Sequence, residues 1–319
     1  MNREPRTPRI LILASIAVLT LSACAAGSDA TEPPTSSSSA PSSPSPPSSS
    51  SPPSSSSAPS IEVESAQPVS GADLAGHIHN LAYDGRQLLM GTHEGLWEQS
   101  PGEVATRVSD EPFDVMGFSR TDSRWFASGH PGKGMDAPAD LGLLQSSDQG
   151  RTWAEVSLGG EVDFHRLVTS EAVVFGVSAH DGRLLRSDDG GATWTDLGVP
   201  GLYDLAVSPA DAAVVVGTTE NGPVRSTDAG VTFERLADAP LLALLAWSGG
   251  TLYGADVDGR ILQSTNDGAT WSERGLLPTQ PLALAAAGDT VAALVDDAIL
   301  ESVDGGVTFA PRVVDLAGH

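Results

Sequence analysis

One eight-residue pattern, Ser-x-Asp-x-Gly-x-Thr followed by an aromatic residue, constrains this chain more than any other feature. It occurs at residues 146–153 (SSDQGRTW), 187–194 (SDDGGATW), 226–233 (STDAGVTF), 264–271 (STNDGATW) and 302–309 (SVDGGVTF). The leading serines follow one another at 41, 39, 38 and 38 residues. A unit of about forty residues, built from short apolar runs between Gly and Asp-Gly turns, describes the blade of a β-propeller. Inside the box the Asp carboxylate accepts hydrogen bonds from backbone N–H groups of a tight turn. The Gly takes a backbone conformation that other residues resist, and the aromatic opens the next strand as a buried plug. Asp148, Asp189, Asp228, Asn266 and Asp304 are therefore read as structural. Asn266 keeps the acceptor and drops the charge, which suits a turn better than a reaction.

The boxes resemble the Asp-box, or BNR, repeats of the sialidase-like superfamily, and the resemblance covers most of residues 77–319. It implies a box between the third and fourth strands of each blade, on the underside of the disc, away from the central mouth. The expected fold is all-β: a β-propeller over residues 61–319, of six blades of four antiparallel strands, with seven as the other count. The units begin near His77, Phe113, Asp163, Tyr203, Leu241 and Leu282, and the first has Pro101-Gly102 in place of a box. Both ends supply complete units, so no strand exchange across the ring is expected, with residues 61–72 available as an edge strand.

Residues 1–24 have the form of a lipoprotein signal peptide. Arg3, Arg6 and Arg9 precede an apolar run over residues 10–21 that is too short to span a bilayer. Leu21-Ser22-Ala23-Cys24 looks like a bacterial lipobox, and Cys24 is the only cysteine. That placement suits lipid attachment and leaves no thiol for a disulfide. Residues 25–60 are almost entirely Ser, Pro, Ala and Thr. Such a segment buries no core, is expected to be disordered, and at about 3.1 Å per residue reaches on the order of 100 Å. The chain is thus expected to be exported and held by the lipid on Cys24 to the outer face of the cytoplasmic membrane or the cell envelope, as a monomer.

The formal charge is −24, and Lys133 is the only lysine. A surface this acidic repels nucleic acid and anionic headgroups, so nucleic acid is excluded as a partner and membrane contact is left to the lipid. A glycan or an envelope protein remains as a partner, whether the chain is a binding module or a pure assembly scaffold.

Aligning the units brings chemistry to one rim. His77 falls level with Asp114 and Asp163, and His79 with Met116 and His165, whereas the later units place mainly apolar residues there. Loops on the same face add His93, His130 and His180, so six of the seven histidines belong to the first three units. The candidate ligand-binding set is His77, His79, His93, Asp114, Met116, His130, Asp163 and His165. Imidazoles with carboxylates beside them are materials for a Zn or Cu site, and His79, His93, His130 and His165 are expected to share one ion. Two other readings stand beside it: polar residues bonding channel water and loop backbone, and a ligand site without metal. Residues 131–140 (PGKGMDAPAD) have the composition of a mobile flap over the mouth.

The segments around His77-Ile78-His79, Thr92-His93-Glu94-Gly95-Leu96, Met116-Gly117-Phe118, 128–132 (SGHPG) and Asp163-Phe164-His165 resemble bacterial secreted lipoproteins labelled glycosyl hydrolase-like or sialidase-like. The chain lacks the Arg-Ile-Pro motif and the arginine triad that sialidase chemistry uses; Arg151, Arg186 and Arg225 lie at the boxes, and only Arg166 is placed near the mouth. Hydrolysis of another glycoside would use Asp114 and Asp163 as its paired carboxylates.

Overall fold

The computed structural model describes residues 67–316 apart from 73, 75, 84–85 and 110–111. Cys24, the segment 25–60 and the Asp84-Gly85 turn lie outside the described residues. Among the described residues there are six sheets and no helix, each sheet holding four consecutive antiparallel strands. The innermost strands are Ile78–Tyr83, Asp114–Arg120, Phe164–Ser170, Asp204–Val207, Leu244–Ser248 and Pro281–Ala287. Each packs against the next, and the sixth packs against the first, so the sheets close a six-bladed propeller.

The second strands are the most buried. Leu88–Thr92 and Trp125–His130 lie between neighbouring blades and are covered on both faces, so they read as near-continuous apolar runs without alternation. The core is accordingly a set of layers between blades. Leu88 and Met90 of blade 1 pack with Ala292, Leu294 and Ile299 of blade 6.

The chain ends do meet in one sheet. Val69–Ser70 pairs in parallel with the last strand, Ala310–Val314, as a fifth strand on the edge of blade 6. Arg312 from that last strand is buried and reaches into blade 1. It donates to Gln99 Oε1 at 2.7 Å, the Tyr83 hydroxyl at 2.6 Å and the Arg86 carbonyl at 2.7 Å, and it pairs with Glu301. Burial, and then the hydrogen bond to Glu301, push the Tyr83 hydroxyl well above its usual pKa. A buried cation satisfied from two blades at once is costly to strip of any one partner, so this cluster latches the seam between the two ends of the chain.

The boxes repeat one hydrogen-bond pattern. Ser187 Oγ donates to Asp189 Oδ1 at 2.8 Å and accepts from Gly191 N at 2.8 Å. Thr193 donates its N–H to Oδ1 at 2.9 Å and its hydroxyl to Oδ2 at 2.7 Å. The same bonds recur at Asp148, Asp228 and Asp304. Donation by the threonine, then by the serine, holds Asp148, Asp189 and Asp228 down at about 2. Asn266 keeps the bond from Thr270 N at 2.9 Å and reverses the other, its Nδ2 donating to Thr270 Oγ1 at 2.9 Å.

Box glycines also join blades. Gly191 has φ +93°, and a Cβ there would lie 2.0 Å from Leu143 Cδ2 of the preceding blade. The aromatic plug is less deep than expected: Trp153, Trp194, Phe233, Trp271 and Phe309 are all half-buried, each packed against one of the core clusters. Trp194 lies against Phe164 and donates Nε1–H to Ser157 Oγ at 2.9 Å.

Candidate functional site

The mouth is shaped by bulges. In four ladders the pairing of first and second strands slips at the first turn of the inner strand: between Ile78 and Asn80, Val115 and Gly117, Phe164 and Arg166, and Pro281 and Ala283. The residues passed over are His79, Met116, His165 and Leu282. A bulge frees one residue from the ladder and re-aims its side chain, and all four line one cavity of about 420 Å³, together with His77, His93 and Arg166. Blades 4 and 5 pair without a slip. His79 and His165 also line the top of the central channel that runs down the inner strands.

The backbone around the bulges is tightly fitted. Asn80 donates to the carbonyls of Val115 and Met116 at 3.2 and 3.0 Å, satisfying groups that the blade 2 bulge takes from its ladder. Gly117 lets blade 3 approach, since a Cβ there would lie 2.1 Å from the Phe164 carbonyl oxygen.

Two groups of ligand-type side chains stand at this rim among the described residues: His79, His93 and Asp114, and His130, Asp163 and His165. Within each group one nitrogen or oxygen per residue lies within 4.8 Å of the others. In the first group His93 Nδ1 is 2.9 Å from Asp114 Oδ2, His79 Nε2 is 3.3 Å from Asp114 Oδ1, and the two ring nitrogens are 3.3 Å apart. In the second, Asp163 Oδ2 is 2.7 Å from His165 Nε2 and 3.4 Å from His130 Nε2. The four histidines expected to share one ion are therefore divided two and two, each pair around its own aspartate. The groups adjoin through blade 2, where Asp114 of the first and His130 of the second are direct partners in the ladder.

Both aspartates keep one oxygen buried. Oδ1 of Asp163 is buried and has no hydrogen-bond partner, and Oδ1 of Asp114 is buried with the His79 ring nitrogen 3.3 Å away. Burial raises the pKa of Asp114, but its contacts with His79 and His93 outweigh this and leave it below the usual carboxylate value. The second group carries a sharper constraint. His130 Nδ1 is 2.9 Å from the carbonyl oxygen of Ala139, which only accepts, so Nδ1 holds the proton. In the neutral ring Nε2 then presents a lone pair, and it faces the Asp163 carboxylate at 3.4 Å. Two lone pairs so placed call for a proton or a cation between them.

The remaining expectations sort as follows. His77 lines the cavity and meets the His93 ring edge to face at 5.7 Å. His180 joins neither group; its Nε2 is 3.0 Å from Asp140 Oδ2, a pairing not anticipated from the sequence. Residues 131–140, expected as a flap, form an exposed loop with hydrogen bonds at its ends. His130 bonds Ala139, the Asp140 carbonyl accepts from Gly160 N at 2.8 Å, and Gly132 N donates to Met135 Sδ at 3.2 Å. Arg166 is at the mouth but committed, pairing with Asp204 at 3.2 Å and donating to the carbonyls of Tyr203 and His165.

No protein-family model matches the chain, and no curated protein matches it in sequence. Solved structures match in fold. A GH74 xyloglucanase from Xanthomonas campestris superposes with a TM-score of 0.51 at 17% identity, over 77% of this chain and 46% of that one. A chain of a nidogen/laminin complex gives 0.55 at 12% identity, over 73% and 99%. The extracellular domain of BT4673 from B. thetaiotaomicron gives 0.52 at 11% identity, over 78% and 34%. This chain spans less than half of the xyloglucanase and about a third of the BT4673 domain. At these identities the likeness is one of propeller fold.

Proposed function

We propose that this chain is an exported, lipid-anchored propeller that binds divalent transition-metal ions, Zn or Cu, at the mouth of blades 1–3. The observation that carries this is the lone pair of His130 Nε2 set against the Asp163 carboxylate, with His165 completing the group. A metal ion held by the two imidazoles and Asp163 Oδ2 satisfies all three at once. His79, His93 and Asp114 offer a second set of two imidazoles and one carboxylate. Two nitrogens and one oxygen suit Zn or Cu better than Ca or Mg, which take oxygen ligands. Export and anchoring rest on the Cys24 lipobox and the segment 25–60.

The test is equilibrium dialysis of the metal-stripped protein against Zn. Two equivalents should be retained, and binding should weaken as pH falls through about 6, because imidazole coordinates only when neutral. Retention of no Zn in the micromolar range sinks the proposal.

A glycoside hydrolase is the second reading, favoured by the xyloglucanase fold likeness and by the two carboxylates at one rim. It needs a general acid whose pKa is raised, whereas Asp114 is lowered and each aspartate is engaged by two imidazoles. A chromogenic glycoside screen on wild type and on Asp114→Asn and Asp163→Asn decides it: turnover lost in both variants would move the assignment to catalysis.

A further inference from the structure

We infer that the mouth also takes monovalent copper, with the Met116 thioether as its soft ligand. This rests on the metal-binding reading above and names the ion that reading leaves open. The chain has four methionines. Met90 is buried in the core between blades 1 and 6, and the Met135 sulfur caps a turn inside the 131–140 loop. Met116 does neither. It is the residue that the blade 2 bulge leaves unpaired, and it lines the same cavity as His79, His93 and His165.

Its position is not one that packing requires. The inner strand of blade 2 anchors its core through Val115 and Phe118, both buried, while Met116 stays half-exposed at the mouth. The bulge that presents it is held from outside, by Asn80 on the Met116 carbonyl and by the close approach of Phe164 at Gly117. At the equivalent place blades 1 and 3 present imidazoles and blade 6 presents Leu282. The cavity therefore combines four imidazoles, of His77, His79, His93 and His165, with one thioether. Thioether sulfur is a poor ligand for Zn and a good one for Cu(I), which also accepts imidazole and tolerates low coordination numbers. The surrounding acidity favours a cation of either charge at the mouth.

The experiment uses the full-length protein, stripped of metal and kept under argon with ascorbate. Cu(I) affinity is read by competition with bathocuproine disulfonate, and Zn affinity by competition with a chromophoric chelator. Met116→Leu keeps the apolar volume and removes the sulfur. Cu(I) affinity should fall about tenfold or more in Met116→Leu, while Zn affinity stays within about twofold of wild type. Met116→Gln, which keeps chain length without a soft donor, should behave the same way. The inference is overturned if both variants hold Cu(I) as wild type does, if wild type holds Zn but no Cu(I), or if Met116→Leu weakens both ions equally. Loss of both ions from wild type would instead overturn the metal-binding reading beneath it.

Discussion

Asp189, in the box of blade 3, has Oδ1 filled by Ser187 and Thr193 N–H and Oδ2 filled by the Thr193 hydroxyl. Asp163, at the mouth of the same blade, faces two imidazoles with one oxygen and leaves the other buried and unbonded. The residue type is the same and the demand is opposite. A box carboxylate is satisfied from within its own turn, so it fixes backbone and has nothing left for a ligand. A mouth carboxylate is met only by side chains that themselves titrate or bind metal. The difference teaches which of the many acids in this chain to regard as functional: those whose hydrogen bonds the backbone does not complete.

The largest effect expected from this contrast is on metal affinity. Asp163→Asn should weaken Zn binding at its group by about 100-fold, since it removes the charge that the two imidazoles share. Asp189→Asn should leave Zn binding unchanged and the fold intact, because Asn266 already fills the same place with one hydrogen bond reversed. Titration of both variants against a chelator of known affinity checks the pair. Equal loss in the two would erase the distinction between the faces.

Next in size is the aromatic cap. Trp194→Ala should cost about 2 kcal/mol, short of the full price of a buried indole, because the ring is half-exposed and keeps one side on Phe164. Thermal unfolding measures this, and Zn affinity of the folded protein should not change.

The smallest effect is electrostatic. Asp148, Asp189 and Asp228 sit at about 2 in the folded protein against an ordinary value of 3.8. A carboxylate depressed on folding contributes stability above its unfolded pKa and loses it as pH falls through the folded one. Wild type should therefore lose stability between about pH 4 and pH 2, and a variant with Asn at all three positions should show a shallower decline there. The acid limb of a urea-midpoint against pH plot checks the slope.

Much of this molecule was legible in its sequence. The box period gave the repeat, and the degenerate first unit, expected to begin near His77, is the blade whose inner strand is Ile78–Tyr83. The histidines of the mouth could be named by aligning the units, because a repeat carries equivalent residues to equivalent places. Their grouping could not. It depends on bulges at His79, Met116 and His165, and a one-residue slip changes which way each side chain faces without any mark in the local sequence. The pairing of His180 with Asp140 was hidden for a related reason: it depends on a contact between blades 2 and 3, which spacing within a unit does not encode.

The central claim is that the rim holds two separate metal sites, one for each aspartate. Native mass spectrometry of the Zn-loaded protein tests it most directly. Wild type should carry two ions, His79→Ala one, His165→Ala one, and the double variant none, with the two losses independent because no ligand is common to both groups. If His79→Ala alone releases every ion, or if the double variant keeps as many as wild type, the division of the mouth into two sites is wrong.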